Sequence, residues 1–416
     1  MHNKLVLRLD PQNVFYILLS LIWSKFMVVD QLSSILNRIL GETVSNSIVV
    51  IFFAFLLFFS LNYIIKNVSR WNVLFAIVFI AVYFLSAWIH TGSYSSKYLL
   101  DNTYRILILN FGMFFIGLRI DEEVIIDWLH IVSVIVVFLF VYFLFFHITS
   151  FRFGQIDECM GYAYLLLPHL CLITGCLIKD KKAIDIISLI VGTIMLFACG
   201  SRGPIILFLC YVVFNLISMT DLKRKPIYII IIGLLCILAW LNSTFILQVI
   251  RNIMNSLGTS TRIIDMILSN SLLEDRGRST ITNQMIELIK SNPIFGYGLA
   301  GDRGYSWTAY SSTFDIAYAH NIVLEFWVSF GVIAGSLLMI VLAKTVFSAY
   351  RYRRKSKLNI IILSLAFSNG LLYLSMSGSF LLSPNFFLLL GVCVSSNREK
   401  RISKLFKRVN VNRDKV

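Results

Sequence analysis

Long apolar runs, each close to the roughly 20 residues a helix needs to cross about 30 Å of hydrocarbon, recur from one end of this chain to the other. Polar breaks separate them into candidate spans near 14–29, 44–65, 71–89, 104–118, 124–147, 159–178, 183–199, 204–219, 226–250, 321–349, 358–377 and 380–396. The remaining composition agrees: 58% of the 416 residues are hydrophobic and 14% charged, and the mean hydropathy is +0.80. No soluble domain hides that much apolar surface. A transmembrane barrel would show short segments alternating apolar and polar residues, which these runs do not. The expected fold is therefore an all-α integral membrane protein of about a dozen transmembrane helices.

Lys4 and Arg8 precede the apolar run that starts at Val14, as in a signal peptide. No small-residue cleavage site follows, so an uncleaved first helix is expected. Cys171, Cys176, Cys210, Cys236 and Cys393 lie inside apolar runs, with Cys159 and Cys199 near their ends. Without a paired-cysteine motif or histidine and cysteine at ligand spacing, neither a zinc site nor a disulfide framework is indicated.

Lys and Arg set the orientation, because short cytoplasmic loops are enriched in them. With both termini inside, the cytoplasmic segments hold Lys4, Arg8, Lys66, Arg70, Arg119, Lys179, Lys181, Lys182, Lys223, Arg224, Lys225, Arg351, Arg353, Arg354, Lys355, Lys357 and the basic tail after Asn397. The short outer loops hold Arg38, Lys97, Arg152 and Arg202. The net charge of +15 is then mostly a topological signal and the tail a lipid-facing one, which removes the case for nucleic acid as a partner.

The chain divides into a nine-helix membrane region over 1–250, a large external loop over 251–319, three more helices over 320–396 and a cytoplasmic tail over 397–416. Within the loop, Ile281, Met285, Leu288 and Ile289 recur at helical spacing, so Ser279–Lys290 is expected as a short amphipathic helix. Asn292-Pro293 ends it, and Gly296, Gly298, Gly301 and Gly304 make the following stretch turn-rich.

Three outer features have the residue types for chemistry. In Ser201-Arg202-Gly203-Pro204 the proline suits the first turn of a helix, whose free N–H groups and positive dipole end would face outward beside the Arg202 guanidinium. That combination binds phosphate, and serves equally to anchor a helix end at the headgroups. Arg276 and Arg278 stand at the start of the amphipathic helix, with Arg262 and Arg303 nearby in sequence, and read as either an anion grip or a solvated surface. His320-Asn321 opens the tenth span and Glu325 follows one turn inside; the histidine is either a general base or a structural hydrogen-bonder. Among the polar residues inside spans, Lys25, Arg105, His169 and Lys344, only Arg105 is carried forward as a substrate contact.

The order Ser201-Arg202-Gly203, Arg278 and a short helix, Pro293-Ile294-Phe295-Gly296-Tyr297-Gly298, and Ala319-His320-Asn321 before a span with Gly331 and Gly335 resembles the O-antigen polymerase and ligase superfamily over roughly residues 190–345. The resemblance implies a membrane-embedded glycosyltransferase of the C-type fold in the bacterial cytoplasmic membrane, acting on its outer face without metal or cofactor. Its partners would be an undecaprenyl-pyrophosphate-linked glycan donor and acceptor, membrane lipid and a chain-length regulator protein. Arg202 and Arg278 would hold the pyrophosphate, His320 would orient or deprotonate the acceptor hydroxyl, and Arg276, Asp302, Arg303 and Glu325 would be secondary contacts.

A ligase that transfers finished glycan to lipid A core shares this layout. A flippase for the same lipid-linked units would suit twelve spans too, but is expected to show two related halves, and the single large loop breaks any such symmetry.

Overall fold

The computed structural model describes residues 10–24, 41–65, 68–89, 93–119, 123–146, 156–180, 182–199, 201–218, 278–303, 318–353 and 357–396, with a few positions around 36–39 and 248–269. The expected span at 226–250 lies almost wholly outside them, and Arg276 and the basic tail lie outside them altogether.

Among the described residues no strand occurs. This follows from the sequence, because a chain this apolar must satisfy its backbone hydrogen bonds within each segment, and the helix does so. The helices are α1 (Pro11–Trp23), α2 (Glu42–Ile65), α3 (Arg70–Ile89), α4 (Tyr94–Asp101), α5 (Asn110–Arg119), α6 (Glu123–Phe146), α7 (Ile156–Asp180), α8 (Ala183–Ala198), α9 (Arg202–Ser218), α10 (Arg278–Ser291), α11 (Ile322–Arg353), α12 (Lys357–Ala366), α13 (Tyr373–Met376) and α14 (Pro384–Ser396). Where described they lie on the sequence spans, but the span at 321–349 is broken at Gly331, that at 358–377 passes through a π stretch over Phe367–Leu372, and the fourth also differs. There the expected span at 104–118 begins as a π stretch over Tyr104–Leu109 that runs into α5, and a break at 102–104 sets this arm at 57° to the preceding short helix α4.

Among the described residues, α3, α6 and α11 are each long and apolar enough to cross a membrane, the bent pair of α4 with Arg105–Arg119 meets the same test only when taken as one span, and several shorter apolar helices accompany them. Their outer surface suits lipid. Phe52, Phe58, Trp71, Ile77, Trp88, Ile186, Ile190, Ile333, Leu337 and Ile340 all point away from the bundle, a surface that would aggregate in water. This is an all-α membrane protein.

Inside the bundle, α1, α5, α6, α7, α9, α12 and α14 bury Phe15, Leu19, Met113, Ile126, Leu167, Cys171, Tyr211, Ile361 and Leu389 in one cluster. Helices α5 and α14 approach backbone to backbone, since a Cβ on Gly117 would lie 2.5 Å from the Leu388 carbonyl oxygen. Small residues allow such contacts where apolar side chains offer no advantage over lipid. A second cluster of Tyr83, Ile106, Phe114, Phe326, Phe380 and Phe387 ties α3, α5, α11 and α14 together.

Helix α10 behaves as its periodicity predicts. Met285, Leu288 and Ile289 are buried against Ala319 and Val328, with Ile281 at the margin. The glycines that follow have a specific use in the break of α11 at Gly331. The break frees the carbonyls of Val328 and Ser329 and the N–H of Val332. The loop after α10 satisfies all three: Tyr297 N–H donates to Val328 at 2.7 Å, Gly298 N–H to Ser329 at 3.0 Å, and Val332 N–H to Pro293 at 2.8 Å. Gly331 sits at φ 76°, ψ 166°, a region essentially reserved for glycine. A Cβ there would lie 2.0 Å from the Ile294 carbonyl oxygen. The Pro293–Gly298 motif and Gly331 are thus two halves of one joint, and it fixes the segment after α10 onto α11.

Candidate functional site

The joint positions the short stretch before α11. Asn321 caps that helix, its Oδ1 accepting from the N–H groups of Val323 at 2.8 Å and Leu324 at 3.4 Å. Directly before the cap, His320 adopts φ 51°, a left-handed conformation that histidine tolerates better than most residues. The reversal lays the imidazole on the Tyr318 ring, with centroids 3.8 Å apart. No described group hydrogen-bonds to His320 Nδ1. Burial first, and then the Arg278 and Arg303 charges, lower the imidazole to about 4, so at neutral pH it is uncharged and retains a lone pair.

Below Tyr318 lies Arg303, its guanidinium carbon 4.6 Å from the Tyr318 ring centre and 4.8 Å from that of Tyr98. An arginine between two aromatic faces is held by the ring quadrupoles. Asp302 adds charge balance, with Oδ1 3.9 Å from Arg303 Nε and Oδ2 accepting the Ala319 N–H at 3.1 Å. Asp302 and Arg303 are 1% and 4% exposed. They therefore form the floor beneath Tyr318 and His320 rather than a surface presented to solvent. Burial is the largest influence on Arg303 and lowers its basicity, but Asp302, Tyr98, Glu325 and Tyr318 together more than offset it, so the guanidinium is held above its usual value.

Glu325, 1% exposed, performs a similar service one turn into α11. Ser379 Oγ donates to its Oε1, and Phe380 N–H donates to its Oε2 at 3.0 Å. The carboxyl group thereby fixes the turn at 377–382 against α11. That turn reaches back to the histidine through Tyr318, whose hydroxyl lies 3.3 Å from Ser377 Oγ and accepts the Gly378 N–H at 3.3 Å.

The arginines singled out by sequence surround this pile from separate elements. Arg278 begins α10 with an exposed side chain, and its charge is felt by His320 and Tyr164. Arg202 begins α9 as expected, next to the buried Ser201. Tyr164, from α7, bridges the two: its hydroxyl is within reach of Ser201, Ser377 and the Arg278 charge, and a Cβ on Gly203 would lie 2.0 Å from that hydroxyl. A side chain at 203 would therefore displace the Tyr164 hydroxyl from the helix start. Tyr164 also packs on Tyr373, with ring centroids 4.9 Å apart. Arg105, in the π turn, contributes its charge on the Tyr98 side of the floor.

The structure thus gathers Arg105, Arg202, Arg278, Asp302, Arg303, His320 and Glu325 at one end of the bundle, from six stretches of chain. Sequence reasoning missed the tyrosines that join them, Tyr98, Tyr164, Tyr318 and Tyr373. All four are half-buried, and Tyr98, Tyr164 and Tyr373 stand apart in sequence from the charged residues singled out. Tyr318, two residues before His320, was the one whose position carried a signal.

Together these groups can neutralise a polyanion at exposed guanidiniums while a neutral imidazole a short distance away accepts a proton. Residues 187–339 match a family model described as O-antigen ligase. The match runs from α8 to the middle of α11, so it includes Arg202, Arg278, Asp302, Arg303, His320 and Glu325 and leaves out Arg105, Tyr98 and Tyr164. Comparison with curated proteins and with solved structures gave no match.

Proposed function

We propose, from the premise that this chain belongs to the O-antigen polymerase and ligase superfamily through residues 187–339, that it polymerises oligosaccharide repeat units carried on undecaprenyl pyrophosphate. The reaction takes place on the outer face of the bacterial cytoplasmic membrane, with both chain termini in the cytoplasm. The observation that carries this reading is the neutral His320, its Nδ1 without a described partner, set among the Arg278 and Arg303 charges.

In the step proposed, a hydroxyl oxygen of the acceptor sugar attacks the anomeric carbon of the donor glycan. The carbon–oxygen bond to pyrophosphate breaks, its electron pair leaves with the undecaprenyl pyrophosphate, and the hydroxyl proton passes to His320. Arg202 and Arg278 take the negative charge that grows on the leaving group, which is where preorganised donors contribute most to rate. Arg278 is exposed and Arg202 partly so, and arginine matches phosphate oxygens in a forked geometry. The guanidiniums supply charge neutralisation themselves, so the reaction is read as independent of metal ions, and a chelator should leave it intact.

The description of the matching family favours a second reading, transfer of a finished glycan onto lipid A core. A gene deletion separates the possibilities. Loss of a polymerase leaves single repeat units and no long polysaccharide. Chains of normal length that fail to reach their final anchor would identify a ligase, and lipid-linked units trapped on the inner leaflet would identify a flippase.

A further inference from the structure

Beside the site, a cavity of about 270 Å³ lies between α1, the π turn before α5, α7 and the start of α14. Its walls are mostly apolar, including Ile22, Leu109, Met113, Leu166 and Leu382, yet Arg105, Ser24, His169 and Asn385 also line it. Arg105 is an exposed residue, so it lines the cavity from its open side, where a guanidinium can meet an anionic counter-ion. Arg105 finds none among the described residues: it takes part in no described hydrogen bond or ion pair. The backbone that carries it is a π turn, an irregularity that recurs at ligand sites because it redirects side chains. Tyr164 forms part of the wall and also reaches toward Ser201 and the Arg278 charge, so the cavity opens onto the same tyrosine that borders the proposed reaction site.

We propose that this cavity receives the phosphate head and adjoining apolar units of a second polyprenyl carrier, with Arg105 as its anion ligand. The inference rests on the polymerase reading, in which donor and acceptor are both lipid-linked and two anionic heads must be held at once. The Arg202 and Arg278 side takes the head of the donor. The Arg105 cavity takes that of the acceptor, which keeps the two carriers on opposite sides of Tyr164. Arg105 would meet the polyprenyl-proximal phosphate of the acceptor's pyrophosphate, while the slender unsaturated chain fills the apolar part of the cavity.

Trp23 lies in the wall, which provides a reporter. The full-length protein in detergent is titrated with farnesyl phosphate, farnesol and inorganic phosphate, and the Trp23 response is taken as the difference between wild-type and Trp23→Phe fluorescence. Farnesyl phosphate should give a saturable response, whereas farnesol and inorganic phosphate should give little. Arg105→Gln should raise the apparent Kd about tenfold, the loss expected for one charge-assisted contact. Leu382→Trp, which fills the cavity and keeps the arginine, should weaken binding similarly if the variant melts normally, and Arg278→Ala should retain the response. An equal response to farnesol, an unchanged Kd in Arg105→Gln, or no saturable response in wild type would overturn the site. If polymer still forms in vitro after such a result, the second carrier site alone is refuted. If the binding pattern holds but no polymer forms, the cavity stands and the polymerase reading fails.

Discussion

Replacing Gly331 by alanine tests whether the joint between loop and α11 holds the site together. The added Cβ would lie 2.0 Å from the Ile294 carbonyl oxygen, and no neighbouring side chain can yield because the obstacle is backbone. The alanine must either keep the glycine-only conformation, at roughly 1–3 kcal/mol, or push the loop away. Undocking breaks the bonds from Tyr297 to Val328, Gly298 to Ser329 and Val332 to Pro293, at roughly 1 kcal/mol each. Either way a loss of up to about 3 kcal/mol is expected. Because Asp302 and Arg303 directly follow the docked segment, the floor under Tyr318 and His320 loosens with it. Gly161→Ala is the control, since nothing lies within 4 Å of a Cβ there, and alanine inside a helix is neutral or stabilising by about 0.5–1 kcal/mol. Thermal unfolding and glycan polymerisation are measured on both proteins in detergent. Gly331→Ala should melt well below wild type and lose most of its activity while Gly161→Ala matches wild type. If the two alanine variants behave alike, the joint is not what holds the site.

Other outcomes follow from the same geometry. Arg303→Lys keeps the charge but loses the flat group between Tyr98 and Tyr318, so kcat should fall about tenfold with KM unchanged; a raised KM with normal kcat would instead put Arg303 in contact with substrate. The folded-state His320 is lowered to about 4, so it stays an acceptor down to that pH and loses its lone pair as pH falls through it. The acid limb of kcat/KM should accordingly have its midpoint near 4, in protein shown by melting to remain folded, and a midpoint near the ordinary histidine value of 6.5 would contradict the burial and arginine effects. A cysteine introduced at Ser311 should react with a membrane-impermeant reagent in intact cells, once any outer membrane is permeabilised; labelling only after lysis would reverse the topology.

Hydropathy made the helices legible because in lipid it is the dominant constraint, and the boundaries of α2, α3, α6 and α8 fall within a few residues of the apolar runs. The π stretch at Tyr104–Leu109 was not legible, since Arg105 is the one charged residue on an otherwise apolar run. Within the site, charged residues on outer loops stood out, and Arg202, Arg278, His320, Asp302 and Arg303 could be named in advance. What each does was less visible. Asp302, Arg303 and Glu325 read as substrate contacts because charge usually means exposure, whereas the fold buries all three beneath or beside Tyr318. The glycines at 296 and 331 looked like a turn and a span residue, and only the close backbone approach joins them. Long-range pairing of this kind has no periodicity in the sequence to announce it.

The central claim is that Arg202 and Arg278 grip a lipid pyrophosphate while glycan is transferred to a second repeat unit. Its most direct measurement is the length of polymer made by purified protein from lipid-linked repeat units alone. Wild type should produce a ladder of lengthening chains in the presence of chelator. Arg202→Ala and Arg278→Ala, expressed at equal levels, should each slow it about a hundredfold, the roughly 3 kcal/mol lost with one charge-assisted contact that strengthens in the transition state, and Arg202→Lys should recover part of that rate. A wild-type protein that makes no ladder yet transfers preformed glycan to lipid A core, or near-wild-type ladders from both alanine variants, would contradict the account.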